Sequence, residues 1–225
     1  MNNLIETLQV KQLVWHGSAQ TPTIDTVATG YAELDKQLNG GFPTTGVIEL
    51  LSDHSVGELR LLLPSITRST HRLLVFIAPP GTVNAQMLVS EGALLENTII
   101  IYPKDKKDRL WAAEQSLKSG ACNAVVLWTN DHLETHQIKR LQLASAKGRC
   151  PQFILRTTLN EALSLPVDLS LSLNAHHNGL IAKVNKRKRG WPTRPFKINM
   201  QNRWPKLTQK QQANNLLHFP NTKVG

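Results

Sequence analysis

The sequence predicts an α/β fold with a mostly parallel central sheet, and three observations favour that fold. Apolar runs such as residues 73–78 are too short for helices and suit strands buried on both faces. Segments with apolar residues at helical spacing separate these runs, as at Leu59, Leu62, Leu63 and Ile66. Strand and helix alternate five times with short connections, which is typical of βαβ units with helices covering the sheet.

The predicted elements begin at residue 29 with a turn and a short helix. A strand at residues 46–51 leads through a loop at 52–57 into a helix at 56–68. Gly120 and Gly148 close two later helices, because glycine is favoured just after a helix end. The further elements are a strand at 73–78, a helix at 84–93, a strand at 98–102, a helix at 104–120, a strand around 125–127, a helix at 132–147 and a strand at 152–155.

The pattern changes near Thr157. Residues 167–174 alternate polar and apolar side chains, which is typical of a strand with one solvated face. Strands are also predicted at residues 180–185 and 196–200, so the sheet should end in antiparallel C-terminal edge strands. The domain division that follows is an N-terminal arm at 1–28, with a weakly amphipathic helix, an α/β domain at 29–200 and a flexible basic tail at 201–225.

Charge is distributed unevenly along the 225 residues. Residues 169–225 contain 11 Lys or Arg and no Asp or Glu, whereas the other 168 residues contain 15 basic and 16 acidic residues. All of the net charge of +10 therefore lies in the last quarter of the chain, which indicates a nucleic acid or an acidic protein surface as partner.

Cellular location is predicted from three features of composition. The chain has no apolar run of about 18 residues and no signal-peptide pattern, so we expect a cytoplasmic protein without a membrane partner. Cys122 and Cys150 are too few for a disulfide framework or a zinc site, and we expect both to be reduced core thiols.

The loop after the first long strand has the position of a phosphate-binding P-loop but lacks its chemistry. Residues 52–59 read S-D-H-S-V-G-E-L, where the motif requires G-x-x-x-x-G-K-[ST]. Gly57 matches, but Ser52 replaces the first glycine, Glu58 the lysine and Leu59 the magnesium-binding hydroxyl. The Walker A motif is therefore degenerate, and we expect no ATP hydrolysis, no cofactor and no enzyme activity.

Other catalytic or metal sites receive no support. The strand around residues 125–127 runs into Trp128, and Asp131 follows too late to serve as a Walker B acid. His132 and His136 have helical i, i+4 spacing but lack the glutamate of H-E-x-x-H, so we expect exposed helix residues. We predict no catalytic residue and no metal ligand.

The residues that precede this loop resemble the corresponding segment of the RecA family. The residues concerned are Thr29, Gly30, Leu34, Asp35, Gly40, Gly41, Pro43, Gly46 and Glu49, which include a TG-x-x-x-LD turn. The resemblance implies a RecA-like P-loop NTPase core, here with the degenerate Walker A motif.

Three segments extend the resemblance. They are residues 29–64 with the run GELRLLLP, residues 78–80, and residues 111–128, WAAEQSLKSGACNAVVLW. They resemble the ImuA family, RecA-like accessory proteins of bacterial mutagenic translesion synthesis. The resemblance implies a non-catalytic protein of the SOS response to DNA damage, which bridges RecA or single-stranded DNA to the ImuB-like polymerase subunit and an error-prone DNA polymerase.

Two alternatives stay open. ImuA-like sequences also resemble the SulA family, SOS-induced cell division inhibitors that bind FtsZ. The longer chain, the complete TG-x-x-x-LD turn and the basic C-terminal quarter favour ImuA. A third hypothesis is a weak ATP-binding regulator, in which Gly57 and the loop backbone suffice without the lysine.

A basic loop between the last two predicted strands is the candidate nucleic-acid or RecA contact. Its residues are Lys183, Lys186, Arg187, Lys188, Arg189, Trp191 and Arg194. Cations around one indole can neutralise phosphates while a base stacks on the ring. The alternative is a solvated loop tip. The RecA resemblance implies instead that Lys183 and Lys186 contact ATP or acidic groups on a neighbouring RecA protomer.

Apolar residues in the polar tail form a candidate partner-binding segment. They are Trp204, Leu216, Leu217 and Phe219. Such anchors fold onto a partner or pack back on the domain, and the ImuA resemblance implies contact with ImuB. Trp111, Ala112, Leu117 and Trp128 are instead predicted to be core residues.

Overall fold

The computed structural model describes residues 25–52, 56–68, 71–157 and 165–205. The strands are β1 (Thr26–Val27), β2 (Phe42–Pro43), β3 (Gly46–Ser52), β4 (Leu73–Ile77), β5 (Thr98–Ile101), β6 (Cys122–Trp128), β7 (Pro151–Thr157), β8 (Leu169–His176), β9 (Gly179–Arg187) and β10 (Phe196–Asn199). The helices are α1 (Ala32–Leu38), α2 (Glu58–Ile66), α3 (Ala85–Ser90), α4 (Lys106–Lys118) and α5 (Thr135–Gly148), with a 3₁₀ turn at Leu95–Asn97.

The central sheet has eight strands in the order β10-β9-β8-β3-β7-β6-β4-β5. Strands β8, β3, β7, β6, β4 and β5 are parallel to one another, whereas β9 and β10 are antiparallel and form one edge. The predicted α/β class, the mostly parallel sheet and the antiparallel C-terminal edge are confirmed. No helix in the described part of the chain is long and apolar enough to cross a bilayer.

Helices pack on both faces of this sheet. On one face, Leu34 of α1 and Leu62 of α2 join a core with side chains such as Ile48 and Phe153. On the other face, Leu117 of α4 and Ile138, Leu141 and Ala144 of α5 cover the side chains of Val47, Val125 and Ile154. The alternating sides of each parallel strand therefore supply two separate cores.

The TG-x-x-x-LD turn positions α1 against α2. The Thr29 N–H donates to Asp35 Oδ1 at 2.6 Å, which closes the turn. Gly30 has a φ of 91°, and a Cβ at this position would lie 2.6 Å from the Pro64 side chain in α2. Glycine is required here because both the backbone conformation and the close approach to Pro64 exclude a side chain.

One charged pair is buried within the sheet. Arg156 of β7 donates to Glu49 Oε1 of β3 at 2.8 Å, and the Ser170 hydroxyl donates to Glu49 Oε2 at 2.8 Å. Both charged side chains are less than a tenth exposed. The glutamate that precedes the degenerate loop by three residues thus has a structural role.

The cysteine prediction is confirmed, and one core prediction is wrong. Cys122 and Cys150 are buried free thiols, and burial raises the pKa of Cys150 to about 12. Ala112 and Leu117 are buried, but Trp111 is 61% exposed. Each helical residue turns by about 100°, so the inward stripe that includes Ala112 and Leu117 leaves Trp111 outside.

Several boundaries differ from the sequence prediction. β1 pairs with β2, so the folded domain begins before residue 29. α5 starts at Thr135 because Glu134 forms a capping box with Gln137. His132 therefore lies outside the helix, and its predicted i, i+4 relation with His136 does not exist. The predicted N-terminal helix falls on residues 1–24, outside the described part of the chain.

Candidate functional site

The topology places the degenerate loop and the loop that follows Arg187 at opposite edges of the sheet. β3 begins at Gly46 and ends at Ser52, which leads into the degenerate loop at the carboxyl edge. Arg187, the last residue of antiparallel β9, pairs with Leu169, which in turn pairs with Ile48 near the start of β3. The basic loop after Arg187 therefore lies at the amino edge, about 20 Å away along a seven-residue strand.

At the carboxyl edge, Glu58 takes the place of a bound anion. The Gly57 N–H donates to Glu58 Oε2 at 2.9 Å. Gly57 is the N-cap of α2 with a φ of 113°, in the position where a P-loop directs backbone donors at phosphate. The carboxylate of the chain itself occupies the donor that a phosphate needs, and it would repel a triphosphate. Residues 53–55 of the loop lie outside the described residues.

The two other altered loop positions, Ser52 and Leu59, are buried or partly buried. Ser52 is buried at the end of β3. Leu59 is partly buried and packs against the core beneath α2. An aliphatic side chain in this position supplies packing and has no oxygen for a magnesium ion.

The acidic residue after β6 is engaged by neighbouring side chains. Asp131 Oδ2 accepts hydrogen bonds from Arg109 Nη1 at 3.0 Å and from the Thr129 hydroxyl at 3.1 Å. Asn130 Oδ1 accepts from the Thr157 N–H at 3.1 Å. Across the described ranges, no group of three or more His, Cys, Asp or Glu residues could hold a metal ion.

The structure divides the predicted basic cluster between the two faces of the sheet. Lys186 Nζ donates to the Leu165 carbonyl at 3.0 Å, whereas Arg187 donates to the Gln37 carbonyl in α1 at 3.0 Å. Lys188 pairs with Asp168 at 3.4 Å. β9 has a register shift between Val184 and Lys186, the partners of Leu171 and Ser170, just before the residues whose side chains go to different faces. Lys186 and Arg187 therefore support the fold, whereas the Lys188 side chain stays 64% exposed.

Other members of the predicted contact are more accessible. Lys183 in β9 and Arg194 in the connection to β10 are exposed, and Trp191 is 75% exposed. Arg189 adopts a left-handed conformation with a φ of 58°. Lys183, Trp191 and Arg194 thus keep the chemistry that the sequence indicated for an anionic partner.

Trp204 packs back on the domain. Its side chain joins the core cluster that contains Leu34 and Leu62, and its indole N–H donates to the Tyr31 hydroxyl at 3.2 Å. Of the two alternatives for Trp204, the structure supports packing on the domain. The other tail candidates, Leu216, Leu217 and Phe219, lie outside the described residues.

Sequence reasoning missed a cleft at the amino edge. It has a volume of about 1020 Å³ and lies between α5, residues 38–46 and the start of the basic loop. Lys139 and Leu143 of α5, one helical turn apart, line it together with Arg187. The available signal in the sequence was a leucine, Leu143, one helical turn from Lys139. The other walls of the cleft come from distant parts of the chain, so this signal alone could not predict it.

Comparison with known proteins finds a distant similarity to RecA over part of the chain. No protein-family model matches the chain. RecA of Synechococcus sp. strain CC9902 and RecA of Prochlorococcus marinus strain SARG are each 27% identical over 113 residues, which cover 49% of this chain and 30% of each RecA. Across about half of its length the chain is distantly related to RecA, and it spans about 30% of the length of those relatives.

One solved structure adds a further similarity. SulA from Pseudomonas aeruginosa is 26% identical, with a TM-score of 0.41, and the match covers 49% of this chain and 97% of that chain.

Proposed function

We propose that this chain is a non-catalytic RecA-like accessory protein in SOS-induced mutagenic translesion DNA synthesis. In this role it bridges RecA or single-stranded DNA to an ImuB-like subunit and an error-prone polymerase. The distant relationship to RecA supports the general class. The particular pathway and partners rest on the sequence resemblance to the ImuA family.

One observation carries the non-catalytic part of this proposal. The Glu58 carboxylate accepts the hydrogen bond of Gly57 N–H in the position where a RecA-like fold binds nucleotide phosphate. A nucleotide would have to displace this carboxylate without a lysine to compensate for its own negative charge. The free-energy cost of that exchange favours a loop that no longer binds ATP.

The exposed residues of the basic loop support the contact with an acidic partner. Lys183 and Arg194 are solvent-accessible cations, and Trp191 offers an exposed ring. Single-stranded nucleic acid is bound by this combination of positive charge and stacking surface. The exposed surface of β9 and of its connection to β10 is therefore our proposed DNA or RecA contact.

Co-purification from DNA-damaged cells tests this function. The tagged full chain is compared with a chain that ends at Pro205, because Trp204 belongs to the folded domain. We expect RecA and polymerase subunits with the full chain, and loss of the ImuB-like subunit when residues 206–225 are removed. Recovery of FtsZ without RecA or polymerase subunits would overturn the proposal in favour of a division inhibitor.

A further inference from the structure

The amino-edge cleft is large enough to hold part of another molecule. Its volume of about 1020 Å³ lies at the upper end of the range of ligand pockets, roughly 300–1,000 Å³. Gly46 and Leu169, at the starts of β3 and β8, form its floor, and α5 and the basic loop form its walls. It is separated from the degenerate loop by the length of β3.

The cleft is positively charged. Four cations line it, Lys139, Arg187, Lys188 and Arg189, against the carboxylates of Asp25 and Asp168. Asp168 is already occupied, because its Oδ2 accepts from the Val47 N–H at 2.9 Å and from Gln142 Nε2 at 2.8 Å. Its Oδ1 pairs with Lys188. A concave surface with excess positive charge concentrates the field and attracts an anionic group.

The remaining wall is aliphatic. Leu143 is 73% exposed on α5, and Ala146, on the next turn of the helix, is also exposed. Both line the cleft, as does Leu38. None of the described lining residues is aromatic, whereas surfaces for single-stranded nucleic acid rely on aromatic rings for base stacking. The combination of cations with an exposed leucine suits carboxylates next to an aliphatic side chain.

We propose that this cleft binds an acidic, leucine-containing peptide segment of a partner protein. This inference rests on the proposed function as an adaptor and assigns one of its protein contacts to the amino edge. The carboxylates of the peptide pair with Lys139 and the basic loop, and its aliphatic side chain packs on Leu143. Charge complementarity sets the association rate and orientation, and burial of the leucine contributes affinity.

Fluorescence anisotropy of the purified full chain tests the cleft. The probe is a fluorescein-labelled peptide of Glu, Asp and Leu, and a labelled oligothymidine of similar length is the comparison. The variant carries Lys139→Glu with Leu143→Glu, two exposed positions on one face of α5. Lys147→Glu is the matched control, because Lys147 is exposed on the same helix but does not line the cleft.

We expect saturable binding of the acidic peptide, weakened about tenfold or more in the double variant and little changed in Lys147→Glu. The inference would be overturned by no binding of the peptide, by equal weakening in Lys147→Glu, or by a dependence on Lys139 and Leu143 of oligothymidine binding but not of peptide binding. Partner recovery in cells by the double variant at wild-type level would reject the cleft while leaving the proposed adaptor function intact.

Discussion

At the scale of single residues, the Tyr31 hydroxyl compensates for a proline within a helix. Pro64 lies inside α2 and has no N–H for the carbonyl of Arg60, four residues earlier. Tyr31 donates to that carbonyl at 2.9 Å and accepts from the Trp204 indole at 3.2 Å. Burial raises the pKa of the Tyr31 phenol, which keeps it protonated as a donor. Three segments of the chain are thus connected through one hydroxyl group.

Tyr31→Phe should lower the free energy of unfolding by about 1–3 kcal/mol, because the Arg60 carbonyl loses its partner in a partly buried place. Urea denaturation measures the change. Tyr102→Phe is the control. Tyr102 is 63% exposed, so loss of its hydroxyl should change the free energy of unfolding little. Equal stability of Tyr31→Phe and wild type would contradict this role of the hydroxyl.

The buried pair of Glu49 and Arg156 should be sensitive to loss of one charge. Glu49→Gln leaves the guanidinium of Arg156 in a nearly water-free position without a countercharge. We expect a loss of about 3–5 kcal/mol in unfolding free energy. Glu96→Gln, at an exposed position in the 3₁₀ turn, provides the comparison and should change stability little. A Glu49→Gln protein as stable as Glu96→Gln would show that the pair is dispensable.

At the scale of elements, contacts within the chain hold the first turn of α2 and the residue before it. Glu58 binds the backbone of Gly57, and Leu59 packs beneath the helix. The substitutions at these positions are readable in the sequence. The hydrogen bond between Gly57 and Glu58 is not, because it depends on the backbone conformation of Gly57 and on the rotamer of Glu58.

We therefore expect no heat of binding and no phosphate release when the purified chain is mixed with ATP and magnesium. A RecA protein in the same buffer is the positive control for calorimetry and for the phosphate assay. The repulsion between the Glu58 carboxylate and the triphosphate is the physical reason. Magnesium-dependent turnover in the wild type that disappears in Glu58→Ala would refute the prediction.

Contact between α4 and α5 should depend on pH through Glu114. The hydrogen bond from Lys118, at 2.6 Å, is the main cause that lowers the pKa of Glu114, and Arg140 of α5 also binds this carboxylate. A carboxyl whose pKa is lower in the folded state stabilises the protein above its ordinary pKa of 4.5. This contribution is lost as the pH falls through the folded-state value.

Glu114→Gln should accordingly reduce the steepness with which thermal stability falls as the pH drops below about 4.5. Circular dichroism melts across that range measure the effect, with Glu96→Gln as a matched exposed control. Parallel pH profiles of Glu114→Gln and wild type would show that the interhelical contact does not depend on this charge.

Much of the element pattern was available from the sequence, for a definite reason. Burial on both faces leaves continuous apolar runs, and β4 and β6 could be recognised from them. Helix ends were less accurate, since α5 begins only where Glu134 and Gln137 form their capping box. The exposure of Trp111 was not predicted, because large aromatic side chains are usually buried and the helical pattern does not show on which side of the buried stripe this ring lies.

At the scale of the whole molecule, strand order decides which candidate residues can act together. Periodicity does not encode that order, so the sequence could not place the degenerate loop and the basic loop at opposite edges. The same limit concealed the amino-edge cleft, whose walls come from α5, the segment before β3 and the end of β9. Lys139 and Arg187 are distant in the chain and become neighbours of one cavity only through the fold.

The asymmetric charge of the whole chain leads to a last prediction, on single-stranded DNA. The proposed contact includes the exposed cations Lys183 of β9 and Arg194 in the connection to β10, whereas Lys104 and Lys107 follow β5, the strand at the opposite side of the sheet. Removal of one cation that binds a phosphate should lower the slope of log affinity against log salt concentration by about 0.7 for a single strand.

Lys183→Gln with Arg194→Gln should therefore weaken oligothymidine binding and reduce that salt slope by about 1.4, without changing the melting temperature. Lys104→Gln with Lys107→Gln removes the same charge from the other edge and should leave the slope close to that of the wild type. Anisotropy titrations at several salt concentrations measure both variants. Equal weakening in the two variants would mean that net charge alone attracts DNA, because position on the fold would then have no influence on affinity.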